Sequence, residues 1–291
     1  MKELHGIFPA LLTPFDQNNK INEKALEGLV KFDLKLGATG FYVGGSTAEA
    51  FLLTTDERKQ IMDIVKATAP DATLIAHVGS IDERQAIELG KHANKLGYDV
   101  VSSVAPFYYK FSFNEIKNYY CRVADASELP MLVYHFPGFS GVNMGLKEIS
   151  EFLCDDRFIG LKFTYNDFFL VERCKAHFPN KIIYNGFDEM YLAGLSMGVD
   201  GGIGSTYNFM ADKFVKITEL FRQGKIAEAQ SIQKDVNAIV EALIKVGVMP
   251  GEKAVLSALG IPMGNCREPF AMPTDEAVRE MLDLVLPLLE A

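Results

Sequence analysis

The chain has 291 residues, 48% of them hydrophobic and 23% charged, with a formal net charge of -9 from 38 acidic and 29 basic side chains. A chain of this length buries a large core without disulfide or metal staples, and its apolar content argues against disorder. The charge, with no basic cluster, disfavours nucleic acid and anionic membrane surfaces as partners but leaves an anionic small molecule open.

Short apolar runs rich in β-formers recur at Gly6–Leu12, Gly40–Val43, Thr73–His77, Val100–Val104, Met131–Tyr134, Ile159–Lys162, Ile182–Tyr184 and Gly201–Gly204. Longer stretches with helical spacing lie between them. Capping boxes, in which Ser or Thr precedes Glu by three positions, predict helix starts at Thr54 with Glu57, Ser80 with Glu83, and Ser112 with Glu115. Strands that alternate with helices pair in parallel, because each helix is the crossover. The repeat predicts an α/β fold, a (β/α)8 TIM barrel. A doubly wound sheet is the alternative, but no G-x-G-x-x-G follows the first strand.

The barrel is expected over residues 1–222, and residues 223–291 form a C-terminal helical extension packed on it. Ile226, Ala229, Ile232, Val236, Ile239, Val240, Leu243 and Ile244 predict one long amphipathic helix. Further helices are expected over Lys253–Leu259 and over Thr274–Leu289, the latter capped by Thr274. No compositional shift marks a second domain. Cys121, Cys154, Cys174 and Cys266 form no C-x-x-C pair, and Met1–Gly6 lacks a signal-peptide pattern. No apolar run approaches the ~18 residues of a membrane span. A reducing, cytoplasmic setting is therefore expected. His5, His77, His92, His135 and His177 form no ligand-spaced cluster, so no metal is expected.

In such a barrel the chemistry sits at the C-terminal ends of the strands. Lys162 ends one. Alternation puts Gly160, Lys162 and Thr164 on one face and Leu161 and Phe163 on the other, so the lysine points into the barrel. It either snorkels to water or acts as an amine nucleophile. A free lysine is neutral in only about one molecule in two thousand at pH 7, and burial raises that fraction. Tyr134 ends another strand, where it either packs with one hydrogen bond or relays protons. Gly44-Gly45-Ser46-Thr47 offers open backbone amides and two hydroxyls suited to a carboxylate or phosphate, if it is more than a turn. Gly201-Gly202-Ile203-Gly204-Ser205-Thr206 stands where barrels often bind phosphate, and is the best argument from spacing for a phosphorylated substrate. Asp188 and Glu189 either complement a helix dipole or accept from sugar hydroxyls.

Taken together, these motifs resemble a known family. Ala10-Leu11-Leu12-Thr13-Pro14-Phe15, Tyr42-Val43-Gly44-Gly45-Ser46-Thr47, Pro106-Phe107-Tyr108-Tyr109, Val133-Tyr134, Gly160-Leu161-Lys162, Gly186-Phe187-Asp188-Glu189 and the run from Gly201 to Asn208 occur in family order over essentially the whole chain. The chain resembles the N-acetylneuraminate lyase family, within the pyruvate-dependent class I aldolases that also contain dihydrodipicolinate synthase. The resemblance implies that Lys162 forms a Schiff base with the ketone of the substrate's pyruvate portion. Ser46 and Thr47 would hold its carboxylate, and Tyr134 would exchange a proton with the C4 hydroxyl. Thr164, Gly186, Asp188, Glu189 and Ser205 would bind the sugar chain. Tyr108 would join the hydroxyl network from a neighbouring subunit, which implies a homotetramer. No metal or organic cofactor is implied.

Dihydrodipicolinate synthases carry an arginine shortly after the strand-five tyrosine, for a second carboxylate. Here Tyr134-His135-Phe136-Pro137-Gly138-Phe139-Ser140-Gly141 has none. The loop after strand two departs from the family's Gly-Gly-Ser-Thr-Gly-Glu, with Ala48 in place of the last glycine. Should the backbone there need a positive φ, alanine costs about 1 kcal/mol.

Overall fold

The computed structural model describes residues 2–290. Strand β1 (Gly6–Pro9) leads to α1 (Glu23–Lys35), β2 (Gly40–Val43), α2 (Thr55–Thr68), β3 (Thr73–His77), α3 (Glu83–Leu96), β4 (Val100–Val104), α4 (Phe113–Ser127) and β5 (Met131–His135). The second half runs α5 (Pro137–Ser140), α6 (Leu146–Leu153), β6 (Phe158–Phe163), α7 (Phe168–His177), β7 (Ile182–Asn185), α8 (Tyr191–Ser196), β8 (Gly201–Gly204) and α9 (Tyr207–Arg222). Then come α10 (Ile226–Val246), α11 (Val248–Ala258) and α12 (Asp275–Glu290).

The eight strands form one parallel sheet in the order β1-β8-β7-β6-β5-β4-β3-β2. A single bridge between Ala10 and Tyr42 brings its two edges together, giving the expected TIM barrel. The first strand ends at Pro9, short of its apolar run, and beyond it the Ala10 amide still donates to the Gly204 carbonyl at 2.8 Å and the Leu11 amide to the Tyr42 carbonyl at 3.0 Å. Side chains fill the lumen, as in other barrels of this kind. Phe8, Tyr42, Ile75, Val100, Leu132, Tyr134, Tyr184 and Ile203 pack there, while the opposite strand faces meet the helices in a second, larger core.

Two of the three capping boxes form, at Thr54 and Ser112. The third does not. Asp82 caps α3 by accepting from the Arg84 amide at 3.0 Å, and Ser80 turns its hydroxyl to Gln85. A carboxylate at the cap also complements the positive end of the dipole. Helix α11 starts at Val248, earlier than expected, because Gly247 (φ 91°) breaks it from α10 and Pro250 is tolerated in a first turn. Thr274 accepts from the Ala277 amide ahead of α12. No described helix is long and apolar enough to cross a membrane.

Candidate active site

A cavity of about 400 Å³ opens at the C-terminal ends of the strands. Ser46, Thr47, Tyr134, Lys162, Thr164, Gly186, Asp188, Glu189 and Ser205 all line it, with an apolar wall from α10 and α11 opposite. A larger hollow, of about 840 Å³, lies between Phe15–Asn22 and Pro262–Glu268. Its charged Asp16 and Arg267 are already engaged, Asp16 with backbone amides and Arg267 with Glu57. Tyr108 does not line the active-site cavity; it stands outside, 84% exposed.

Lys162 projects inward from β6, whose Leu161 and Phe163 face the outer core. Its Nζ lies 4.2 Å from the centre of the Tyr134 ring and 4.3 Å from that of Tyr42. It makes no ion pair with a described residue. Burial draws its amine down to about 7, with Asp188 opposing the shift. A large fraction is then neutral at physiological pH, with a lone pair able to attack a carbonyl carbon. Tyr134 is also buried, which raises its hydroxyl above the ordinary phenol value, while the neighbouring Thr164 and Ser46 hydroxyls pull it down.

The loop after β2 keeps its amides open. Among the described residues nothing accepts from the backbone N–H of Ser46 or Thr47. Ala48 has ordinary backbone geometry inside a short helical turn, so the strain considered for it does not arise; the left-handed residue is Glu49, at φ 59°. Glu49 is pinned on the far side by Lys253 of α11, 2.6 Å away with both side chains fully buried, and by the Arg267 amide.

Asp188 is seated by Gly204, where a Cβ would come within 1.8 Å of its carboxylate. Its Oδ2 accepts from the Thr206 amide at 2.9 Å and hydroxyl at 2.7 Å, and its Oδ1 is unpartnered. Burial pushes it up to about 6 against the pull of Thr206. The phosphate reading of Gly201–Thr206 is therefore corrected. The donors at Thr206 are already taken by a carboxylate, and Glu189 adds a second acid beside it. Such a wall accepts from hydroxyls and repels a phosphate.

Tyr42 heads the Tyr42–Thr47 motif without a role of its own there, and nothing local in the sequence singles out His77 or Glu252, yet all three lie close to the site. Glu252 of α11 is fully buried and neither oxygen has a hydrogen-bond partner. Burial pushes its carboxyl up to about 8, with the nearby Ser205 hydroxyl offsetting the shift only in part. A raised carboxyl pKa stabilises the fold fully below the unfolded value of about 4.3 and loses that contribution as pH rises toward 8. Glu252→Gln should therefore flatten the fall in melting temperature between pH 5 and pH 8, gaining on the order of a few kcal/mol at the alkaline end. Parallel melting profiles for the two proteins would contradict this.

A sequence model described as the Dihydrodipicolinate synthetase family matches residues 3–286. The chain is 44% identical over 288 residues to N-acetylneuraminate lyase of Rhizobium meliloti (strain 1021), covering 99% of this chain and 96% of that protein. It is 45% identical over 287 residues to N-acetylneuraminate lyase of Haemophilus influenzae, covering 98% of each. The crystal structure of CdNal from Clostridium difficile in complex with mannosamine superimposes with a TM-score of 0.96 at 39% identity, covering 99% of this chain and all of that one.

Proposed function

The chain belongs to the dihydrodipicolinate synthetase family, and from that premise we propose that it is an N-acetylneuraminate lyase, reversibly cleaving N-acetylneuraminate to N-acetylmannosamine and pyruvate. The observation that carries this is the cavity's division of labour. A neutral-capable lysine stands at its floor, open amides and hydroxyls at one end, and carboxylates suited to sugar hydroxyls at the other.

In this reading Ser46 and Thr47 hold the substrate carboxylate and Lys162 attacks the ketone carbon. Water leaves as the iminium forms. Tyr134 takes the C4 hydroxyl proton while the C3–C4 bond breaks, and the electron pair flows into the iminium to give an enamine. Protonation at C3 and hydrolysis release pyruvate and free Lys162. Thr164, Gly186, Asp188, Glu189 and Ser205 hold the hydroxylated chain. A dihydrodipicolinate synthase needs a cation for a second carboxylate, and no arginine lines this cavity. The decisive assay couples pyruvate release from N-acetylneuraminate to lactate dehydrogenase. Condensation of pyruvate with aspartate semialdehyde, without sialic acid cleavage, would overturn the reading.

Tyr108 completes the hydroxyl network of a neighbouring subunit in a homotetramer. Supporting this, Tyr108, Tyr109 and Phe139 form an exposed aromatic patch at the barrel mouth, a surface that favours burial against another chain. Sedimentation should give a tetramer, and Tyr108→Phe should lower turnover roughly tenfold, the effect of one lost hydrogen bond, without changing the assembly. A fully active monomer would exclude the arrangement. The cytoplasm suits a chain whose four cysteines are free, two of them buried.

A further inference from the structure

We propose that His77 is a positioning residue for the carboxylate end of the site, fixing the Gly44–Gly45 peptide so that only donors of the Gly44–Thr47 loop face the substrate. The inference rests on the reading that Ser46 and Thr47 hold the substrate carboxylate. His77 ends β3 and is fully buried, outside the cavity lining. Its Nδ1 lies 2.9 Å from the Gly44 carbonyl oxygen, and its Nε2 lies 3.2 Å from the Val104 amide nitrogen. A carbonyl only accepts and an amide N–H only donates. The ring must therefore be neutral, with its proton on Nδ1. Burial agrees, holding His77 well below the ordinary histidine range, with Arg58 and Lys162 adding to the shift and the Gly44 bond opposing it.

The seat is built around that orientation. Arg58 donates to the His77 carbonyl at 2.8 Å, and a Cβ at Gly79 would come within 2.9 Å of Nε2. The ring meets Tyr134 edge-on and Tyr42 at a tilt, the two rings that flank Lys162. One imidazole thus ties together the ends of β2, β3 and β4.

The consequence for binding comes from Gly44-Gly45. Gly44 has φ 74°, and with two glycines nothing local resists a flip of the peptide between them. A flipped peptide would turn a carbonyl dipole toward the anion that Ser46 and Thr47 are open to receive. The Nδ1–H of His77 holds that carbonyl on the other side.

The test uses His77→Asn and His77→Gln in the full-length protein, with borohydride trapping of ketones on Lys162. Asparagine places an N–H near the Nδ1 position and keeps the Gly44 bond; glutamine reaches the Nε2 position and loses it. His77→Gln should raise the half-saturating pyruvate concentration about tenfold, the effect of one hydrogen bond, while His77→Asn stays within about twofold of wild type. With acetone, a ketone without a carboxylate, both variants should match wild type. Equal effects of the two variants on pyruvate, or an equal loss with acetone, would overturn the proposal. So would failure of both to fold, since the residue would then be holding the core whatever donor it keeps. Absence of any adduct on wild-type Lys162 is a separate outcome that brings down the reading of the site, and this inference with it.

Discussion

Lys162→Ala is expected to remove the borohydride-trapped pyruvate adduct and to lower N-acetylneuraminate cleavage at least about ten-thousandfold, because the covalent intermediate has no other route. A free lysine is neutral in roughly one molecule in two thousand at pH 7, whereas an amine drawn down to about 7 is neutral in about half, a gain approaching a thousandfold in nucleophile. The neutral form attacks, so trapping in the wild type should rise with pH, from about a tenth of its maximum at pH 6 to about nine-tenths at pH 8. A second buried amine near the barrel mouth, Lys253, is engaged by Glu49 at 2.6 Å and by the Asn265 carbonyl at 3.1 Å. Peptide mapping should therefore find the adduct on Lys162 alone. An adduct on Lys253, or trapping that persists in Lys162→Ala, would end this mechanism.

What made Lys162 legible was local. Strand alternation assigns its face, and a β-rich run ending at a barrel mouth assigns its depth, so no distant residue is needed to find it. The same holds for the strand limits at Gly40–Val43, Thr73–His77, Val100–Val104 and Gly201–Gly204, which the structure reproduces. What stayed hidden is non-local. Glu49 and Lys253 are 204 positions apart, and His77 finds Gly44 and Val104 only once three strands lie side by side. Glu252 falls just ahead of the helix expected over Lys253–Leu259, and its burial emerges only once α11 is packed over the barrel mouth. The error at Thr206 has the same origin. The spacing of a glycine-rich loop reports its open amides, but the carboxylate that fills one of them comes from the preceding βα loop. The loop at Ala48 is a smaller case, where a one-residue offset moves the left-handed position to Glu49.

Tyr134→Phe should separate the two halves of the reaction. Its ring packs edge-on to Tyr42 and His77 and is stacked on Phe136, and phenylalanine keeps all of those contacts. The face presented to the Lys162 amine also survives, so imine formation with pyruvate should persist within about threefold. Turnover of N-acetylneuraminate should fall by about 10²–10⁴, the range supplied by a positioned acid or base. Burial raises the Tyr134 hydroxyl above the ordinary phenol value, so the resting site holds a neutral phenol and not a phenolate. Tyr134 can then take the C4 proton only by passing on its own; in the proposed mechanism that proton goes to the neighbouring Ser46 hydroxyl, which hands its own to the substrate carboxylate it holds. At saturating substrate, where the carboxylate contact of Ser46 no longer limits the rate, Ser46→Ala should slow cleavage in the same direction as Tyr134→Phe, and the double variant should be little slower than Tyr134→Phe alone, since two members of one relay are not additive. Full turnover in Tyr134→Phe, or losses that multiply in the double variant, would take the proton transfer away from this pair.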